Sequence, residues 1–323
     1  MTMSATARVL LAATLLAATT VAVAQSTRPV RLVVPSVPGG GTDLTWRLIE
    51  PRLGEALGQK LVVDNRGGAG GDLGATIVAR ALPDGLTLLG GVSSVTINPA
   101  FKKDMPYDLL RDLVPVSLAV KAPNILVSHP SLPVKTVQEL IAYIKAQPRP
   151  PQFASAGIGS MPHLMMALFL NLTHLNLTHI AYKGTAQASL DVLSGQVPLM
   201  VGNVLPTLPL IAGGRLRAYG VTSATRTAAA PEIPTLAESG VAGYDAVQWF
   251  GLGAPAQTPR ASVERLHRAL TAVLNDPVLK KRFVDDGADV SPSASPAAFD
   301  QFIRAEMTKW TKVIKDAGIQ MEQ

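Results

Sequence analysis

Three segments of this chain place glycines beside hydroxyl or amide donors where a strand hands over to a helix, and the chemistry such junctions offer is anion binding. The first is VPGGGTD, Val37 to Asp43. Pro35 and Pro38 remove ladder donors. Gly39, Gly40 and Gly41 admit backbone conformations closed to other residues. Thr42 or Asp43 is placed to cap a helix starting near Leu44. The expected result is a row of free backbone N–H groups at the positive end of a helix, suited to a small anion. A tight turn with nothing bound would carry the same residues. The second segment is SAGIGSMPHL. Its strand ends at Ser155, Ala156 and Gly157 follow, and Gly159 completes the turn. Ser160 then either caps a helix with Pro162 just inside it or bonds an anion directly, with His163 three residues on. The third is HIAYKGTAQ, in which Tyr182 and Lys183 precede Gly184, and Thr185 lies near a helix start. Lys183 either pairs with a carboxylate or is simply solvated. Ser93, Ser94 and Thr96 supply further hydroxyl donors after another strand.

The motifs of bond-making chemistry are missing. GGAGGDLG departs from G-x-G-x-x-G, because counting from Gly68 and Gly70 the third position is Leu73, and no G-x-x-x-x-G-K-[ST] occurs. GIGSM lacks the last glycine of a nucleophile elbow. His129, His163, His174, His179 and His267 form no H-E-x-x-H, and His174 and His179 are poorly spaced for a metal. A Ser160–His163 pair would suit a secreted serine hydrolase, but no orienting acid accompanies it. The chain has no cysteine, which excludes disulfides, thiolate metal sites and a cysteine nucleophile. Neutral donors at helix starts outnumber acid–base pairs. That is binding chemistry, with no cofactor and no metal expected.

Such loops need a scaffold of strands and helices, and the pattern supplies one. VRLVVPS reads as a strand, followed by a helix to Leu57 with Leu44, Leu48, Leu53 and Leu57 along one side. KLVVDN is a second strand, a helix runs from about Leu73 to Ala81, and Leu86 to Gly91 is a third strand. This alternation implies parallel strands covered by helices, the α/β class. NILVSHPSLPVKTVQELIAYIKAQP and FGLGAPAQTPRASVERLHRALTAVLNDP share a layout of strand, Pro-rich turn and amphipathic helix. They mark the passage into and out of a second lobe, giving lobe one as residues 25–122 and 248–323 and lobe two as residues 123–247. Helices from about Pro162 to Leu170 and from about Ala186 to Leu193 make lobe two a second α/β unit. The last helix, with Phe299, Phe302, Ile303, Trp310, Val313 and Ile314 at helical spacing, is expected to pack against lobe one. A chain that passes between two lobes twice leaves a cleft, and ligands of α/β sheets sit at strand carboxyl ends.

The destination of the chain is legible too. Residues 1–24 read as a secretory signal: Arg8 is the sole charge, Val9 to Val23 is apolar apart from threonines, and Ala22-Val23-Ala24 predicts cleavage before Gln25. The run is too short for a membrane anchor. An exported chain without cysteine suits a Gram-negative periplasm. The net charge of +6 is scattered, with no basic run longer than Lys280-Lys281-Arg282, and aromatics make up only 5%. Such a balance favours small anions and argues against nucleic acid.

Many segments in one order then resemble a known family. They include RPVRLVVPSVPGGGTD, LGQKLVVDNRGGAGGDLGATIVARALPDGLTLL, SAGIGSMPHL, AYKGTAQASLDVLSGQVPLM and IPTLAESGVAGYDAVQWFGLGAPAQTP. Over nearly the whole mature chain the sequence resembles the Bug-type extracytoplasmic solute receptors, the periplasmic components associated with tripartite tricarboxylate transporters. The resemblance implies a two-lobed periplasmic binding protein fold, a Venus flytrap of type II kind, with the ligand cleft between two α/β domains. It implies a small carboxylate ligand held by amides and bridging water from Val37 to Asp43 and from Tyr182 to Thr185. It also implies a monomer that delivers its ligand to a tripartite tricarboxylate-type permease; a sensor serving a membrane kinase is the alternative. Ser36 stands where the family commonly has Phe, Leu86 where it has Tyr, and Val201-Gly202-Asn203 where it has Phe-Asp-Asn. With Gly202 and Asn203 at the cleft, loss of the acidic group is expected to disfavour a ligand amine and leave more room for a bulkier or aromatic acid.

Overall fold

Val30–Val34 (β1) is a five-residue strand, apolar but for Arg31, in which four side chains are buried, the profile of a strand covered on both faces. A computed structural model describes residues 28–39, 41–102 and 104–320, so the signal segment and Gly40 lie outside the described residues. After β1 come Gly41–Leu57 (α1), Leu61–Asn65 (β2), Asp72–Ala79 (α2), Thr87–Val92 (β3), Ser94–Phe101 (α3), Leu109–Asp112 (α4) and Leu113–Ala122 (β4). The second unit holds Asn124–Ser128 (β5), Val137–Ala146 (α5), Gln152–Ser155 (β6), Met161–Thr173 (α6), Thr178–Ala181 (β7), Thr185–Leu193 (α7), Leu199–Asn203 (β8), Val204–Ala212 (α8) and Arg217–Val221 (β9). Gln248–Pro255 (β10), Arg260–Leu274 (α9), Pro277–Asp285 (α10), Asp289–Val290 (β11) and Pro296–Asp316 (α11) complete the chain.

The strands form two mixed sheets. The first has the order β11-β4-β10-β3-β1-β2 and the second β7-β6-β8-β5-β9. β1, β2 and β3 are parallel, as the alternating pattern predicts, while β10 returns antiparallel between β3 and β4. In the second sheet β7, β6 and β8 are parallel and β5 is antiparallel to both β8 and β9. The chain crosses directly from the first sheet to the second at Pro123, between β4 and β5, and re-enters the first at Gln248. The carboxyl ends of β1, β3, β6, β7 and β8 therefore all lie at the edges where the sheets exchange chain.

β4 and α3 have no counterpart among the predicted elements. Pro115 inside β4 and Pro99 inside α3 obscure their periodicity. β4 tolerates its proline because the β4–β10 register shifts between Leu252 and Gly253, where Pro115 pairs.

Helices cover both sheets. On one face of the first sheet Trp46, Ile49 and Leu53 of α1 pack with Leu266 and Leu270 of α9 and Phe283 of α10. The last helix departs from expectation. Phe299 and Ile303, near the start of α11, join Val33, Leu89 and Trp249 of lobe one. Trp310, Val313 and Ile314, two to four turns later, join Leu126, Leu140, Phe153 and Leu164 of lobe two. A helix of 21 residues is about 30 Å long, enough to serve both cores. Among the described residues no helix is long and apolar enough to cross a membrane.

Candidate functional site

The first glycine loop is closed by its own side chains. α1 begins at Gly41, so Thr42 and Asp43 fall inside its first turn, ahead of the predicted start at Leu44. The Gly39 N–H donates to Asp43 Oδ2 at 2.8 Å. That amide is therefore engaged, not free as the sequence suggests. Asp43, 1% exposed, also accepts from Arg47 Nε at 2.9 Å and from Asn65 Nδ2 at 3.0 Å. Burial alone would raise its pKa; the bonds from Arg47, Gly39 and Asn65 and the Arg47 charge outweigh it and hold the carboxyl below its ordinary value. Asn65 Nδ2 also reaches the Ser36 carbonyl at 3.3 Å, so one amide group ties both ends of the loop. Val37 stands at the tip, largely exposed. Asp43 is the buried brace of this loop, and Thr42 beside it is buried.

Behind it lies the second glycine-rich segment, the one that fails as a nucleotide fingerprint. A Cβ on Gly74 would come within 2.9 Å of Pro35 Cβ, and one on Gly67 within 3.0 Å of the Val37 nitrogen. Asp72, buried at the start of α2, anchors the segment through Asn98 Nδ2 at 2.7 Å and Lys102 Nζ at 2.5 Å. These glycines are the floor on which the first loop rests. Nothing in their spacing alone distinguishes that role from an ordinary turn.

In lobe two a pair of histidines braces the loop from Ser155 to Ser160. The Gly159 N–H donates to His163 Nδ1 at 3.1 Å, and the Gly157 N–H donates to Ser155 Oγ at 3.1 Å. Ser155 Oγ in turn lies 2.6 Å from His179 Nε2. His179, on β7, stacks on His163 and on Phe153. Burial, with a smaller contribution from the neighbouring His179, pulls the His163 pKa down to about 4, and burial lowers that of His179. Both rings are thus neutral at pH 7. Ser160 precedes α6 as a cap residue in position only, because its hydroxyl donates to the Gly157 carbonyl at 2.7 Å. Ser160 and His163 each have another partner, so the geometry of a Ser–His nucleophile is not assembled there. His179 is a residue that the sequence reading left without a role; its place on β7 beside Ser155 on β6 depends on strand register, β6 pairing Ser155 with Ala181.

The remaining predicted residues divide. Tyr182 donates its hydroxyl to Asp191 Oδ2 at 2.5 Å, a bond that, with burial, pushes its pKa up to about 12. Lys183 is exposed and Ala156 half-buried. Gly184, at φ 126°, turns the chain into α7, which begins at Thr185. Ser93 is enclosed, with no partner for its hydroxyl, and so does not offer that group to solvent; Ser94 opens α3. Gly202 corrects an expectation. A Cβ there would meet Thr207 Oγ1 at 2.8 Å and Met200 Cε at 3.2 Å, so the missing side chain leaves no extra room. Asn203 Oδ1 accepts from Asn124 Nδ2 at 3.0 Å across β8 and β5. Gly41 and Asn203 both line a cavity of about 500 Å³ bounded by the two lobes beside the crossing strands.

Comparison with known proteins fits this geometry. Residues 45–319 match the family described as the tripartite tricarboxylate transporter family receptor. The chain belongs to this family. BugT of Bordetella pertussis is 35% identical to this receptor over 297 residues, covering 91% of each chain. An R. palustris protein solved with adipate is 37% identical with a TM-score of 0.76, covering 91% of the receptor and 99% of that chain. MatC from Rhodopseudomonas palustris, solved with malate, is 31% identical with a TM-score of 0.71 and covers 90% of the receptor and 99% of its own chain. The periplasmic binding protein BugD is 35% identical with a TM-score of 0.72, over 91% of the receptor and 99% of its own chain. The receptor thus has the two-lobed fold of periplasmic solute-binding proteins, built on its two mixed sheets.

Proposed function

We propose that the protein is an exported receptor that closes its two lobes on one small organic carboxylate and hands it, as a monomer, to a tripartite tricarboxylate-type permease. It catalyses no reaction. Residues 1–24 direct export and are removed. Lobe one is residues 25–122 and 248–323, lobe two residues 123–247, and the segments joining them act as hinges. The observation that carries this reading is that α1, α6 and α7 all begin at the sheet edges between which the chain crosses, each after a glycine turn. Their N-terminal turns suit a carboxylate without a buried counter-cation, which favours release as well as capture. Adipate and malate bound to relatives above 30% identity support the ligand class. Val37 to Thr42 and Ser94 would serve from lobe one, with Asp43 bracing the loop from inside and Ser93 enclosed behind them. Ser155 to Ser160, Tyr182 to Thr185 and Asn203 would serve from lobe two, with His163 acting through its loop.

A thermal-shift screen against small organic acids tests the reading. An acid at 100 times its Kd stabilises by roughly 2.7 kcal/mol and raises the melting temperature visibly. A shift with an acid but not with its amide supports a carboxylate receptor. The absence of any shift across acids of all classes, with protein refolded from denaturant to strip retained ligand, would refute it.

A further inference from the structure

The cavity of about 500 Å³ between the lobes has the volume of a site for a sizeable organic molecule, larger than a hydroxylated four-carbon acid needs. Its walls come from both lobes and from the crossing strands. Leu44 and Leu48 of α1 and Leu205 and Pro206 of α8 supply accessible apolar surface, in front of Phe250 and Phe283, which are buried in the core behind it. Leu44 is 53% and Leu205 46% exposed, a contiguous setting in which apolar groups from opposite lobes face solvent across a gap. Isolated exposed leucines are ordinary on a protein surface; leucines from both lobes lining one cavity point to an apolar occupant.

The charged side chains of the wall are matched within the protein. Arg47 pairs with Asp43 and Arg282 with Asp286, at 2.9 and 3.1 Å. The neutral amides Asn124 and Asn203 satisfy one another. A ligand ammonium placed here would meet no uncommitted carboxylate among these lining residues and would lose its hydration. Gly41 belongs both to the first glycine loop and to this wall, and Asn203 ends the strand beside the lobe-two loops. The cavity therefore adjoins the segments assigned to the carboxylate at Gly41 and at Asn203, while the loops from Ser155 to Ser160 and from Tyr182 to Thr185 lie outside its lining.

We propose that this cavity receives the body of the ligand, and that the ligand is a carboxylic acid with an aromatic or hydrocarbon body and no ammonium group. The inference rests on the carboxylate-receptor reading and adds the chemistry of the rest of the molecule. Leu44, Leu48 and Leu205 set specificity through contact area. Hydroxyl or ammonium substituents on the body are rejected because their hydration is not replaced.

Calorimetric titration of refolded protein with 3-phenylpropanoate, hexanoate, malate and glutamate tests this. The expected result is that phenylpropanoate or hexanoate binds roughly tenfold or more tightly than malate and glutamate, as a few apolar contacts allow. L44E and L205E, both at half-exposed positions, should each weaken binding of the apolar acid by a similar factor while melting within a few degrees of the parent. Malate or glutamate binding as tightly as the apolar acids would overturn the assignment of the cavity and leave the carboxylate reading standing. So would L44E and L205E binding the apolar acid like the parent. Failure of all four acids, together with failure of the wider acid screen, would overturn both.

Discussion

His163 and His179 stack with ring centroids 3.8 Å apart and planes 15° from parallel, directly beneath the lobe-two glycine loop. One ring accepts the Gly159 N–H and the other bonds Ser155, so protonating either disturbs the loop. Stability should respond to pH in a defined direction. Unfolded histidine takes up a proton near 6.5, whereas folded His163 does so only near 4. Between these values the unfolded state binds more protons, so stability is complete above about pH 6.5 and declines as pH falls toward 4, by on the order of 3 kcal/mol. Urea unfolding of the parent and of His163→Gln at a series of pH values measures this. The variant keeps an amide oxygen as acceptor and cannot titrate, so its decline should be shallower. Superimposable pH profiles would show that the pair does not titrate as described.

Asp43 is the acceptor on which the first loop converges, taking bonds from Gly39, Arg47 and Asn65. Asp43→Ala leaves these donors without their shared partner and should cost about 1–3 kcal/mol of stability. It should also weaken binding of whichever acid the thermal screen identifies, because the loop carrying Val37 to Gly41 loses its tie. Asp43→Asn keeps one acceptor oxygen and should fall between. Equal affinity in parent and Asp43→Ala would remove the loop from the site.

Much of this was legible in the residues, and the limits have physical causes. β1, β2 and β3 and their helices follow from apolar runs punctuated by glycine and proline, and the two strand–turn–helix segments form β5 with α5 and β10 with α9. β4 escaped because Pro115 interrupts a pattern that only a register shift with β10 rescues. The split loyalty of α11 escaped because one amphipathic face looks the same whether it covers one core or two. At the site, residue types located the loops, but occupancy of their amides did not follow. Whether Gly39 offers its N–H depends on Asp43 reaching back four residues, and whether Gly159 does depends on the rotamer of His163. Gly202 reads as space in sequence and is filled by Thr207 in three dimensions.

Two glycines near the first loop should behave oppositely when given a methyl group. Gly74→Ala drives a carbon to 2.9 Å from Pro35 Cβ and 3.0 Å from Pro35 Cα, and neither the proline ring nor the backbone yields easily. It should cost about 1–3 kcal/mol and reduce affinity by displacing the loop. Gly41→Ala meets nothing within 4 Å and should change stability by no more than about 0.5 kcal/mol. Melting temperatures of both variants decide the point; a harmless Gly74→Ala would mean the loop does not rest on α2.

Glu306 sits on α11 between Ile303, which belongs to the lobe-one core, and Trp310, which belongs to that of lobe two. It is 4% exposed, and its Oε2 accepts from Trp249 Nε1 at 3.2 Å and from Trp310 Nε1 at 3.0 Å. Lys309 pairs with its other oxygen and also donates to the Asp245 carbonyl at 3.0 Å, close to where the chain re-enters lobe one. One carboxylate thus satisfies an indole from each core at the point where the helix changes lobes. Glu306→Leu strips the acceptor from two buried N–H groups and should cost about 2–4 kcal/mol. Glu306→Gln retains one oxygen that can accept from both indoles and loses only the partly exposed pair with Lys309, so its cost should stay below about 1 kcal/mol. Calorimetry of the two variants separates the acceptor from the charge. A Glu306→Gln loss as large as that of Glu306→Leu would mean that the negative charge, and not the paired indole acceptors, holds the helix across the two lobes.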